Sequence, residues 1–303
     1  MKQFRVVGVA VAALIFLLLV LRPVFSGAWV LPQMLSLGPV SIRYYGVCMA
    51  LAVAVGWLLA SKRAPQYGFT TEHVDDMALW LTVGGFVGAR LYHVLSSFSF
   101  YLAHPAEVLM VWHGGLSIFG ALFGGFAALL LFVWCQRHSL IRVGVSKSAF
   151  DTGVVWRWLD LLAPSVLLGQ IIGRFGNLFN YEAYGYPTNL PWKMFVPSLF
   201  RFPAYADAAF YHPLFLYEAL GNALILVFLF WFARSTLGKR AAGVVFISYI
   251  ILYTVLRFSL EHIRMDSLFV WAGVRENALM SGILALAAGM LFVWRYFRVW
   301  QKQ

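Results

Sequence analysis

An arginine, two asparagines and a glutamate fall within nine residues at the end of a long apolar run, in Gly173-Arg-Phe-Gly-Asn-Leu-Phe-Asn-Tyr-Glu-Ala-Tyr-Gly185. Charged groups at the edge of a membrane span are costly to place, so they mark a functional site by default. Arg174, Asn177 and Asn180 recur every third residue and share one helix face if the helix continues. The guanidinium fork matches phosphate oxygens, and asparagine amides could fix its neighbours. The alternative is a structural polar seam between helices. Gly169, Gly173 and Gly176 form an adjoining stripe of the kind that lets helices approach closely. Gly185 either lets backbone come near a ligand or turns the chain.

Arg257 and Glu261 form a second group, four residues apart, with Arg264 one turn further. They make either an intrahelical salt bridge or a phosphate clamp in which Glu261 orients Arg257 or accepts a proton. His212-Pro-Leu-Phe-Leu-Tyr-Glu218 opens another apolar run, and a carboxylate buried there needs an arginine from another helix. Arg43 and Tyr45 are interfacial belt residues or further headgroup donors. Gly120 and Gly124 read as a packing pair, and His113 as an interfacial residue before a base. No metal-ligand spacing, Gly-x-Ser-x-Gly elbow or phosphate loop is present. Cys48 and Cys135 lie far apart in apolar runs and read as inert thiols.

The elements that must position these residues are transmembrane helices. Only 12% of the 303 residues are charged and 62% are hydrophobic, too few charges to cover a soluble surface of this size. Eight spans are expected: Val6–Leu21, Val40–Ala60, Asp76–Leu95, Gly114–Cys135, Val154 into the polar stretch, Leu214–Phe232, Ala242–Ile263 and Ala278–Tyr296. The first has signal-like features, and an uncleaved helix is favoured. Lys2, Arg5, Lys62, Arg63, Arg137, Arg142, Lys147, Arg234, Lys239, Arg240, Arg295, Arg298 and Lys302 collect at one set of span ends, which the positive-inside rule makes cytoplasmic. Arg43, Arg90, Arg174, Arg257 and Arg264 then fall on the opposite face, against the rule. An anionic ligand at that level is the simplest reason. The net charge of +11 fits basic cytoplasmic loops and anionic lipid better than nucleic acid, since no basic-aromatic interleaving lies outside the spans.

The polar stretch, taken with Ile42-Arg-Tyr-Tyr-Gly46, Gly88-Ala-Arg-Leu-Tyr92, Gly114-Gly-Leu-Ser117, Leu190-Pro-Trp192, His212-Pro-x-x-Leu-Tyr-Glu218 and Arg257-Phe-x-x-Glu261, resembles the bacterial prolipoprotein diacylglyceryl transferase family. The blocks occur in family order over about residues 35 to 297. The resemblance implies an inner-membrane transferase with its active site facing the periplasm or outer leaflet. It would move the diacylglyceryl group of phosphatidylglycerol onto the lipobox cysteine of prolipoprotein signal peptides, releasing glycerol phosphate and forming a thioether. It implies catalytic roles for Tyr45, Arg174, Asn177, Glu182, Arg257 and Glu261. For phosphatidylglycerol binding we expect Arg174, Arg257, Arg90, Gly185, Asn180 and Arg264. No metal, cofactor or nucleic-acid partner is expected, and the protein is expected to be a monomer.

The expected fold is an all-α polytopic membrane protein with a seven-span core and an extra N-terminal helix. The expected layout is a hydrophobic helix at 1–22, a periplasmic arm at 23–39, one catalytic membrane domain at 40–297 with a periplasmic head at 181–212, and a cytoplasmic tail at 298–303. Three departures from the family stand out, one being that the run Val6 to Leu21 is extra relative to the common seven-span form. Phe119 replaces a histidine that many members carry, and where the last span of many members carries a glutamine near Ala278 the amide neighbour here is Asn277. Phenylalanine takes no proton, so the thiol's base stays open among Tyr45, Glu182, Glu261, water and, more weakly, His113. The rival readings are a multi-pass anion or lipid transporter, which the apolar lower parts of the spans oppose, and an inactive lipid-binding family member.

Overall fold

The computed structural model describes residues 19–38, 40–142, 153–265, 270–271 and 274–300. Among them, seven helices are long and apolar enough to cross a membrane. We label them α1 (Tyr44–Arg63), α2 (Thr71–Ser96), α3 (Ile118–Arg142), α4 (Gly153–Asn180), α5 (Leu214–Phe232), α6 (Val244–Glu261) and α7 (Glu276–Trp300). The fold is therefore the all-α polytopic one expected. Of the expected extra helix, residues 1–18 lie outside the described residues, and residues 19–25 are helical. The side chain of Asn277 is likewise outside them.

Three helix starts differ from the sequence reading, and in one of them α2 begins at Thr71, capped by Thr70, rather than at Asp76. Val40–Arg43 is strand β2, paired antiparallel with β1 (Met34–Leu37), and α1 begins only at Tyr44. A short apolar run with β-branched residues serves either element, and the pairing across Gly38 (φ 62°) decides it. The helix expected from Gly114 begins at Ile118, because Gly114 and Gly115 adopt φ of 96° and 74°, outside the helical region. Two more antiparallel ribbons, β3 (Met194–Phe195) with β4 (Phe210–Tyr211) and β5 (Val270–Trp271) with β6 (Val274–Arg275), lie between helices.

The chain forms two compact units. The first comprises residues 1–55, 166–239 and 247–303. Its core gathers Leu31, Leu178, Tyr184, Met194, Tyr211 and Phe215. The stripe Gly169, Gly173 and Gly176 faces α1, where a methyl at Gly176 would lie 2.9 Å from the Tyr45 ring and one at Gly173 would lie 3.6 Å from the Met49 sulfur. The small residues thus bring Tyr45 against the polar end of α4, as close helix packing requires.

The second unit comprises residues 56–165 and 240–246. Thr70 starts α2 with a reciprocal cap: its hydroxyl accepts from the His73 amide at 3.3 Å, and its own amide donates to the His73 ring at 3.1 Å. Buried Asp160 accepts from the Gly243 and Phe246 amides at 2.5 and 2.8 Å, satisfying the start of α6 with a carboxylate from α4. Helices α2 and α3 meet backbone to backbone at Gly84, Gly88, Gly120 and Gly124. A methyl at Gly124 would lie 2.2 Å from the Gly84 carbonyl oxygen. Neither backbone can give way without parting the helices. Gly124→Ala is accordingly expected to destabilise the protein by about 1–3 kcal/mol. Gly125→Ala, with nothing within 4 Å of the added methyl, should be near neutral. Thermal unfolding of both variants in micelles checks this, and equal midpoints would contradict it.

Candidate functional site

Helix α4 ends at Asn180, and the next three residues take an unusual path. Tyr181 and Ala183 both adopt left-handed φ, 53° and 54°, which costs a residue with a side chain roughly 1–2 kcal/mol each. Other contacts hold them there. The Tyr181 ring stacks on Phe200 at 5.0 Å and its hydroxyl donates to the Leu31 carbonyl at 3.2 Å. The Ala183 carbonyl accepts from the Phe215 amide at 2.9 Å. Between two buried neighbours, Glu182 is left exposed. The Asn177 and Asn180 amides donate to its two oxygens, at 3.4 and 3.3 Å, so both asparagines aim one carboxylate.

One turn back, Arg174 donates from Nη1 to Asn177 Oδ1 at 3.4 Å and from Nη2 to Glu218 Oε1 on α5. Tyr253 on α6 lies within its electrostatic reach. Arg257 on α6 donates to the other Glu218 oxygen at 3.5 Å and to Glu261 at 3.4 Å. Glu218 is fully buried, whereas the two arginine side chains are 20% and 15% exposed. The result is a pair of guanidiniums bridged from within by one inaccessible carboxylate, each with a face open to a ligand. The buried Glu218 does find an arginine from another helix, and it finds two. Tyr253 was missed. A tyrosine in mid-span reads as core, yet Tyr249, Tyr253, Arg257 and Glu261 recur every fourth residue and so share a face.

The remaining expected residues are placed as follows. Tyr45 packs on Gly176, within the electrostatic reach of Glu182 and Arg174. Gly185 bridges Arg264 through backbone, and its amide donates to the His212 carbonyl at 2.9 Å. A methyl on Gly185 would lie 2.6 Å from the Ile263 carbonyl oxygen, so the close approach here is between segments of the chain itself. Arg90 belongs to the second unit. Its guanidinium donates to the carbonyls of Glu107, Val108, Gly114 and Gly115, tying the loop between α2 and α3. His113 pairs with Glu107 at 2.8 Å in that loop, and Phe119 is exposed. Among the described residues, no group of three or more His, Cys, Asp and Glu could hold a metal ion.

His212 is linked to this end of α5 by a hydrogen-bonded chain. Trp192 Nε1 donates to the Tyr217 hydroxyl at 2.7 Å, and that hydroxyl lies 3.1 Å from His212 Nδ1. The hydroxyl accepts from the indole and can donate to Nδ1 when that nitrogen is unprotonated. Burial pushes the His212 pKa below 6.5, which favours the neutral ring. A base whose folded pKa is depressed contributes stability above its unfolded pKa and loses it as pH falls toward the folded value. The unfolding midpoint should therefore drop as pH is lowered from about 6.5, and His212→Gln should flatten that slope. An unchanged slope in the variant would remove His212 from the account.

The chain matches the family model described as prolipoprotein diacylglyceryl transferase over residues 32–294. Among curated relatives, the phosphatidylglycerol–prolipoprotein diacylglyceryl transferase of Synechococcus elongatus is 41% identical over 269 residues, covering 88% of this chain and 87% of the relative. The protein of the same name from Thermosynechococcus vestitus is 38% identical, covering 88% and 92%. That from Fervidobacterium nodosum is 40% identical, covering 89% and 86%.

Proposed function

We propose that this chain, which belongs to the prolipoprotein diacylglyceryl transferase family, transfers the diacylglyceryl group of phosphatidylglycerol to the lipobox cysteine thiol of a prolipoprotein signal peptide. The observation that carries the reading is the pair Arg174 and Arg257, bridged by a buried Glu218 and partly open on their other faces. The thiol sulfur attacks the glycerol carbon that bears the phosphate ester. A C–S bond forms, the C–O bond breaks, and glycerol phosphate leaves with the bonding electrons. Charge grows on the departing phosphate, where preorganised guanidiniums act most strongly. The thiol, with a reference pKa of about 8.5, is more readily ionised near cations.

The proton goes to a carboxylate in this reading, and Glu182 is the better placed of the candidates. It is exposed and held by two neutral amides, whereas Glu261 is buried and paired with Arg257. Tyr45 lines the same end of α4 and orients what lies there. Arg90 uses its donors on its own loop, so headgroup contact falls to Arg174 and Arg257, with Arg264 and Asn180 beside them. The clamp residues all come from one unit of one chain, which suits a monomer. Positive-inside reasoning supports a bacterial inner-membrane location with this cluster toward the periplasmic leaflet.

The test is transfer itself. The full chain, reconstituted in vesicles containing phosphatidylglycerol, is given a lipobox peptide, and the thioether product is sought by mass. Product should appear with phosphatidylglycerol and not when the peptide cysteine is serine. No product from folded protein would sink the reading.

A further inference from the structure

Beneath the arginine cluster lies a second polar layer. Gln170 is one turn before Arg174 on α4, Asn222 one turn after Glu218 on α5, and Tyr249 one turn before Tyr253 on α6. The contacts fix the level of each. Arg174 meets Glu218 on α5 and Tyr253 on α6, and Gln170 Nε2 donates to the Tyr249 hydroxyl at 3.0 Å. Helices α4 and α6 thus run in the same direction here. Helix α5 runs against them, since Glu218 meets Arg257 and a methyl at Gly221 would strike Leu256. Four residues along each helix put the second layer about 6 Å from the first.

That layer is not internally satisfied. Asn222 is fully buried, and both its Oδ1 and its Nδ2 have no hydrogen-bond partner within the protein. Gln170 Oε1 is also buried and without one. Such atoms are costly anywhere and more so at membrane depth, where lipid offers no replacement. Leucine at 222 would have avoided the cost.

We propose that Gln170, Asn222 and Tyr249 form a buried water site one helical turn beneath the arginine–glutamate cluster. The guest must both donate, to Gln170 Oε1 and Asn222 Oδ1, and accept, from Asn222 Nδ2. It must also be neutral, because these three side chains are uncharged. A phosphate would find no cation among them, and a metal ion would leave Asn222 Nδ2 unpaired. Water meets every requirement and typically makes about three hydrogen bonds in such sites. The proposal is independent of the transfer reaction, and its test does not use activity.

X-ray radiolysis splits bound water in place, so hydroxyl radicals mark its neighbours even where bulk solvent cannot reach. The full chain in micelles is irradiated and its oxidation mapped by mass spectrometry. Tyr249, only 7% exposed, should be oxidised well above Trp158, which is 2% exposed and serves as a dry aromatic comparator. Asn222→Leu should lower the Tyr249 rate at least about threefold by removing two of the three orphan atoms, and Gln170→Leu should lower it likewise. Exposed Trp192 should be unchanged in both. Tyr249 oxidised no faster than Trp158, or equally fast in a folded variant, would overturn the proposal. The wild-type comparison decides alone if neither variant folds.

Discussion

Arg174→Lys is expected to lower transfer from phosphatidylglycerol by about 10²–10³-fold while the protein stays folded. The charge survives the substitution; the geometry does not. Arg174 directs separate N–H groups to Glu218 on α5 and Asn177 on its own helix, lies near Tyr253 on α6, and still presents a partly exposed face. A lysine ammonium has three donors on one point and no planar fork. Captured by buried Glu218, it would have little left for a phosphate oxygen. The loss should appear in kcat as well as KM, because the interaction strengthens as charge develops on the leaving phosphate. Initial rates of thioether formation across a phosphatidylglycerol series measure both. Turnover within about twofold of wild type would remove the clamp role from Arg174.

The parts of this site that were legible in the sequence are those lying on one helix. Arg174, Asn177 and Asn180 share a face through helical spacing alone, and so do Arg257 and Glu261. The need for a partner at Glu218 followed from burial cost, but the identity of two partners depended on which helices meet, which spacing within a helix does not encode. Glu182 was visible as a carboxylate, while its exposure rests on left-handed backbone at Tyr181 and Ala183. Neither residue type announces that conformation, as glycine would. Arg90 shows the same limit from the other side. Its position near a span end suggested a ligand, and its partners are carbonyls of a loop 17 to 25 residues further on. Side-chain type gives no sign of backbone acceptors that distant. The strand Val40–Arg43 was absorbed into a helix because four residues beside a long span are too short a run to distinguish one period from the other.

The second large effect is expected at Glu218. Glu218→Ala should destabilise the protein by about 3–5 kcal/mol, since it leaves two partly buried guanidiniums facing one another without their shared counterion. Glu261 pairs with Arg257, and among the described residues no carboxylate other than Glu218 is hydrogen-bonded to Arg174. Glu218→Gln keeps the shape and one acceptor oxygen, so its cost should be smaller than that of alanine. It also removes the internal anion that competes with a ligand for both guanidiniums. Binding of free glycerol phosphate should therefore tighten in Glu218→Gln even as stability falls. Such opposite signs separate a counterion from a mere packing residue, which would weaken both together. Denaturant unfolding in micelles gives the stability change, and isothermal titration gives the affinity. Because the carboxylate is fully buried, both differences should persist in high salt, where an exposed ion pair would be screened. A Glu218→Ala protein as stable as wild type would mean that the arginines are held apart by packing rather than by their shared carboxylate.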